Sequence, residues 1–232
     1  MTEKSKFDVL KRLWLEDVGM SALLVFVMVT NFVVQPLFAD SSIIHIINGV
    51  LFLSITISGI WLLIEKRSYQ IIATLVPIAS VLIDIYDKEP GFTNFLYLKT
   101  ILILGIFLIT ILLILKRVFG PGEVNHHKII GAILVFILAG NMFATLYEIF
   151  ASVMPSAFLL PASIQGVSNN HVNFLYFSYT TLTTTGFGDI TPVHPLAKSL
   201  VSLEQLFGLL YPILLIGRLV SLNITGKTEK PS

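Results

Sequence analysis

Cysteine is absent from the 232 residues, which excludes disulfides, thiolate metal sites and cysteine nucleophiles. Charge is also scarce. Asp, Glu, Lys and Arg together make up 12% of the chain, about half the share of an ordinary soluble domain. The formal net charge of +1 offers no basis for a nucleic-acid partner. Paired catalytic carboxylates, a nucleophile triad and a phosphate-cradling loop are all missing, and Asp84, Glu148 and Glu204 read as structural groups within apolar surroundings, so the expectation is a protein that is not an enzyme. No internal repeat of the kind that builds inverted-repeat transporters is visible, and the Gly and Pro interruptions do not fall in matching halves. What remains is apolar: 55% of residues are hydrophobic and the mean hydropathy is +0.86. A chain of this kind is a polytopic membrane protein.

Six stretches are long and apolar enough to cross a hydrocarbon core of ~30 Å at a helical rise of about 1.5 Å per residue: 19–38, 43–64, 69–87, 95–117, 128–151 and 196–222. The first is preceded by Glu3, Asp8, Glu16 and Asp17 as well as bases, and it is long enough to span, so it reads as a transmembrane helix and not as a cleavable signal. Ahead of it, Phe7, Leu10 and Trp14 recur at helical spacing while Lys4, Lys6, Lys11 and Arg12 fill other faces, the pattern of an interfacial helix over 1–18. A seventh apolar stretch, 172–183, is too short to span. Its Phe174, Tyr176, Phe177 and Tyr179, followed by threonines, fit a half-helix that enters the membrane and stops, capped by Asn173 or Asn170.

The basic residues set the orientation. With the amino terminus inside, twelve Lys and Arg (Lys4, Lys6, Lys11, Arg12, Lys66, Arg67, Lys116, Arg117, Lys128, Arg218, Lys227, Lys230) collect on the cytoplasmic side, against Lys88, Lys99 and Lys198 outside. Ala151 to Ala197 holds no Lys or Arg. Both termini are expected in the cytoplasm. The organisation that follows is a four-helix transmembrane domain over 19–117, a cytoplasmic linker over 118–127 marked by Gly120, Pro121 and Gly122, a second domain over 128–222, and a short cytoplasmic tail over 223–232 with no attached ligand-binding domain.

One polar stretch interrupts the second domain. Residues 180–192 read Thr-Thr-Leu-Thr-Thr-Thr-Gly-Phe-Gly-Asp-Ile-Thr-Pro. Gly186 and Gly188 reach backbone conformations closed to other residues, so that consecutive carbonyls point the same way. Non-helical backbone at membrane depth is tolerated where it is buried in protein or borders a water-filled path. The run Thr183-Thr184-Thr185-Gly186-Phe187-Gly188-Asp189, at the end of an aromatic half-helix and between two spanning helices, resembles the potassium-channel signature, in which four chains each supply a Thr-Val-Gly-Tyr-Gly strand. It departs from that pattern at Thr185, where valine is usual, and Phe187, where tyrosine is usual.

The resemblance implies an all-α tetrameric channel of six transmembrane helices per chain, with pore helix 172–183, filter 184–188 and inner helix 196–222, in a bacterial plasma membrane. It implies K+ as the permeant ion at the carbonyls of Thr184, Thr185, Gly186 and Phe187 and at the Thr184 hydroxyl, with Gly188 and Asp189 at the outer mouth and no cofactor. The segment from Leu203 to Val220 is similar to inner helices of the bacterial two-helix pore family, which places Gly208 at a gating hinge with Pro212 one turn later. Glu204, ionisable at membrane depth, is a filter-bracing candidate, and Glu148 resembles a carboxylate that holds the post-filter loop. The lost Tyr hydroxyl at Phe187 and the added hydroxyl at Thr185 bear on selectivity, so a weakly selective cation channel remains open. A potassium uptake transporter subunit would carry four such repeats, and this chain has one. A non-conducting membrane scaffold is the third alternative.

The fourth stretch argues against steep voltage gating, because 95–117 holds only Lys99 near one end and Lys116 and Arg117 at the other. Asp84 and Lys99 are placed to pair across the third and fourth helices. Of five histidines, His126 and His127 fall in the linker before the pore, where adjacent histidines are ordinarily solvated.

Overall fold

A computed structural model describes residues 18–38, 75, 78, 93–120, 126–161 and 171–228. The expected interfacial helix over 1–18 and the spans 43–64 and 69–87 lie outside the described residues, apart from the helical Val18, Leu75 and Ile78. Asp84, and with it the Asp84–Lys99 pair, lies outside them as well.

Helix α1 (Val18–Val29) is apolar along its length, and a helix satisfies its interior backbone groups within itself, as lipid requires. It passes into a π-helical turn at Thr30–Val34, where the Gln35 N–H bonds Thr30 O five residues back. The cause is one residue further on: Pro36 has no N–H to give, and the wider turn accommodates the missing bond. A last short turn, α2 (Gln35–Leu37), follows, and Phe38 N returns to the ordinary spacing by bonding Val34 O at 3.1 Å. The single helix expected over 19–38 is therefore two α segments with a π turn between them. Thr30, Asn31 and Gln35 are buried there, with Gln35 Nε2 donating to Asn31 Oδ1 at 3.2 Å.

Helix α3 (Thr93–Val118) carries Lys116 and Arg117 in its last turn, where cations meet the negative end of the helix dipole. Gly120 N closes onto Arg117 O, and the Lys128 ammonium donates to Gly120 O at 2.9 Å. Helix α4 (His126–Val153), a two-residue strand β1 (Phe158–Leu159), helix α5 (His171–Leu182), strand β2 (Thr191–Pro192) and helix α6 (Pro195–Thr228) complete the described chain. Helix α6 runs beyond the end expected at 222, through residues 223–228. No proline interrupts them before Pro231.

Among the described residues three helices are long and apolar enough to cross a membrane: Tyr97–Val118, His126–Val153 and Pro195–Arg218. The chain divides into two compact units, one of Met1–Gly120 with Val124–Val135, the other of Pro121–Glu123 with Phe136–Ser232. In the second unit much of α6 is exposed, whereas the part of α4 from residue 136 onward is mostly buried or half-buried. Its side chains meet an aromatic cluster of Tyr147, Phe143, Phe158, Phe174 and Phe177, with Tyr147 and Phe177 centroids 5.1 Å apart and Phe158 edge-on to Phe174 at 5.3 Å. Lipid tails are as apolar as these rings, so water exclusion does little for helix association. Close packing and interhelical hydrogen bonds hold the unit together.

Candidate functional site

The site grows from the carboxyl end of α5. Thr183 N bonds Tyr179 O at 3.0 Å, continuing the helical pattern, and Thr184 N bonds Thr181 O at 3.0 Å, tightening it. The chain then turns back. Thr185 N and Gly186 N both bond Thr180 O, at 2.8 and 3.1 Å. Four successive N–H groups are thereby spent on the end of α5, and three of its last four carbonyls, those of Tyr179, Thr180 and Thr181, are satisfied.

The backbone beyond Thr183 alternates in hand. Thr184 (φ 57°), Gly186 (φ 54°) and Gly188 (φ 82°) lie in the left-handed region, while Thr185 and Phe187 between them do not. Alternation of right- and left-handed residues turns successive N–H groups to one side and successive carbonyls to the other. Here the N–H side faces α5. Among the described residues nothing donates a hydrogen bond to the carbonyls of Thr184, Thr185, Gly186 and Phe187, and residues 183–189 are all exposed. Thr184 is a β-branched residue held at positive φ, a conformation that costs about 1–3 kcal/mol and collects at functional sites.

The two unusual side chains of this segment both have partners. The Thr185 hydroxyl lies 2.9 Å from the Thr183 hydroxyl, which itself bonds Tyr179 O at 2.7 Å. Phe187 stacks on Tyr176 of α5, 6.3 Å between centroids and 4° from parallel. The Tyr176 hydroxyl bonds the Asp189 carboxylate. The other Asp189 contact is local: its Oδ1 accepts from Ile190 N at 3.0 Å. Behind Asp189 the chain is pinned by β1 and β2, which pair antiparallel with Phe158 opposite Pro192 and Leu159 opposite Thr191. Ala157 O accepts from both Val193 N and His194 N.

Glu204 is fully buried and joins three helices: Tyr147 of α4 donates to its Oε2, and Ser178 of α5 bonds its Oε1. It thus touches the body of α5 and not the 184–188 segment itself. Glu148 pairs with His171, the first residue of α5, at 3.0 Å between Oε2 and Nδ1, which puts an acidic group at the positive end of that helix. Asn173 falls inside α5, so it is not the helix cap expected from the sequence; a cap precedes the first helical residue. Asn170, the other candidate, lies outside the described residues.

Gly208 sits against the carboxyl end of α5. A Cβ at this position would lie 2.1 Å from Leu182 O, so only glycine permits this approach of α6 to α5. Four residues on, Pro212 removes the N–H that would bond Gly208 O, yet α6 continues through both positions. Sequence reasoning passed over Tyr147, Ser178 and Ala157. A hydroxyl on each of two apolar helices was a visible signal for the first two, while the Ala157 carbonyl has no signature in a sequence.

Residues 130–224 match a family model described as ion channel, a span that runs from α4 through the 184–188 segment and along α6. No curated protein and no solved structure matches the chain.

Proposed function

Starting from the ion-channel match over 130–224, we propose that this protein conducts K+ passively through a pore formed by four copies of the chain. The observation that carries the reading is the alternation at Thr184–Gly188, which leaves four consecutive carbonyls without a donor among the described residues and turned away from α5. Unpaired acceptors at membrane depth each cost several kcal/mol. A dehydrated cation repays that cost, and rings of carbonyls replace its hydration shell. One chain supplies one such row, so a closed ring needs a fourfold arrangement of copies about the ion path. In this reading α5 is a re-entrant pore helix whose negative end faces the ion, 184–188 is the filter, and the Thr184 hydroxyl, which has no partner among the described residues, completes its inner end. Asp189 and Glu148 steady the outer mouth, Glu204 steadies the pore helix, and bending at Gly208 and Pro212 opens the inner helix. Both termini face the cytoplasm of a bacterial cell, and the sparse charge of α3 makes voltage a weak stimulus.

Purified protein in liposomes tests this directly. A K+ gradient drives barium-sensitive flux, cross-linking stops at four chains, and the reversal potential in opposed K+ and Na+ gradients follows K+. A reversal potential near zero supports the weakly selective cation channel, which the Phe187 side chain favours because it lacks a hydroxyl. Tetramers without flux refute conduction, and a steep conductance–voltage curve refutes the weak voltage dependence.

A further inference from the structure

Glu204 lies within hydrogen-bond reach of two hydroxyls, and one of these has a second neighbour. Tyr147 Oη and Ser178 Oγ each contact the Glu204 carboxyl, and Ser178 Oγ also lies 2.9 Å from Gly140 O. These are three oxygen–oxygen contacts, and each needs a hydrogen between its atoms. Tyr147 brings one hydrogen and Ser178 brings one. Gly140 O is an acceptor only, so the third hydrogen has a single source, the Glu204 carboxyl.

We infer that Glu204 is held as a neutral carboxylic acid and that its proton orders a one-way chain fastening α5 to both neighbouring helices. In this chain Tyr147 donates to Glu204 Oε2, the protonated Glu204 Oε1 donates to Ser178 Oγ, and Ser178 donates to Gly140 O. Every hydroxyl and carboxyl hydrogen then has an acceptor. With an ionised carboxylate, Ser178 has one hydrogen for two acceptors, and one of its contacts becomes an unshielded approach of two oxygen lone pairs. The surroundings agree. Glu204 has no exposed surface, Tyr147 is the one titratable group against it, and among the described residues no Lys, Arg or His pairs with it. A buried carboxylate without a cation is costly, and a fully satisfied neutral network is not.

Ser178 precedes the first filter-binding carbonyl, Thr180 O, by two residues on the same helix. Glu204 is therefore a positioning residue: it sets the depth and rotation of α5, and α5 sets the 184–188 segment. This consequence for conduction rests on the channel reading, whereas the protonation does not.

Two measurements on the full-length protein in lipid vesicles separate these claims. The infrared difference between wild type and Glu204→Gln is expected to show the carbonyl stretch of a protonated carboxyl lost in the variant; loss of carboxylate bands instead overturns the inference. Ion flux is expected to stay at the wild-type level in Glu204→Gln, because the amide donates to Ser178 and accepts from Tyr147 as the acid does. Glu204→Ala and Ser178→Ala are expected to lower flux by about tenfold or more, the order set by leaving a buried partner unpaired. Equal loss in the Gln and Ala variants overturns the inference. Absence of flux in the wild type defeats the channel reading alone, since the infrared readout needs no conduction.

Discussion

Two polar regions in the second unit handle their acceptors in opposite ways. Around Glu204 every oxygen is paired, beside a buried cluster that includes Tyr147 and Phe177. At Thr184–Phe187 four carbonyls have no donor among the described residues, and the surrounding residues are exposed. In a medium without water both arrangements must balance the cost of unmade hydrogen bonds. The first does so within the chain and so serves as structure, whereas in the proposed reading the second draws on a cation from outside it. The contrast separates a network that holds helices together from a row of acceptors left open for a ligand.

The largest effect is expected where the open row depends on handedness. Gly186 and Gly188 have φ of 54° and 82°, and nothing lies within 4 Å of a Cβ added at either. Gly186→Ala therefore meets no neighbour and acts through conformation alone, at about 1–2 kcal/mol per chain for an ordinary residue at this φ. Relief of that strain flips the peptide and breaks the row of carbonyls. K+ flux in liposomes should disappear while thermal unfolding of the detergent-solubilised protein shifts little. Retained flux would show that the alternation is not what the function uses.

Next comes the contact by which the closed region reaches the open one. Gly208→Ala puts a methyl 2.1 Å from the Leu182 carbonyl, and backbone must move to admit it. The expected cost is about 1–3 kcal/mol, read as a lower unfolding temperature together with reduced flux. Gly217→Ala, in the same helix with nothing within 4 Å, serves as the control and should gain up to about 1 kcal/mol of helix propensity. A Gly208→Ala protein of unchanged stability and altered open probability would instead favour a hinge.

The open region was the more legible of the two in the sequence. Gly186 and Gly188 announce their backbone through residue type and spacing, whereas the positive φ of the β-branched Thr184 runs against its type; the flanking apolar runs fix the helices to within a few residues at most of their ends. Glu204 stood out as an ionisable group in an apolar helix, but its partners did not. Tyr147 and Ser178 lie 57 and 26 residues away from it, and nothing in a helical period says which face of α4 meets which face of α6. The π turn at Thr30 had a local signal in Pro36, yet mean apolarity over 19–38 conceals it. The short β1–β2 pairing had none, because two residues per strand give no alternation to read.

A smaller effect is expected from the side chains that face away from the carbonyl row. Thr185 has a hydroxyl partner in Thr183 and Phe187 lies flat on Tyr176, so neither departure from the Thr-Val-Gly-Tyr-Gly pattern leaves a polar group unsatisfied. The combined change Thr185→Val with Phe187→Tyr should leave the K+/Na+ permeability ratio equal or higher, measured from reversal potentials. A lower ratio would mean that the Thr183–Thr185 contact, and not the aromatic stack, holds the row in register.

The smallest effect belongs to the rim. Glu148 and His171 pair at 3.0 Å, but the Glu148 side chain is 44% exposed, and exposed ion pairs are worth about 0–1 kcal/mol in solution. The pair sits at the first turn of α5, where a carboxylate also gains from the helix dipole by about 0.3–1 kcal/mol. Glu148→Gln should therefore lower the unfolding temperature slightly and leave the permeability ratio unchanged, with the shift shrinking further as salt is added. A loss of selectivity in Glu148→Gln would mean that the amino end of α5 is tied to the carbonyl row as tightly as the Glu204 end, and the division between a closed anchoring region and an open binding one would no longer hold.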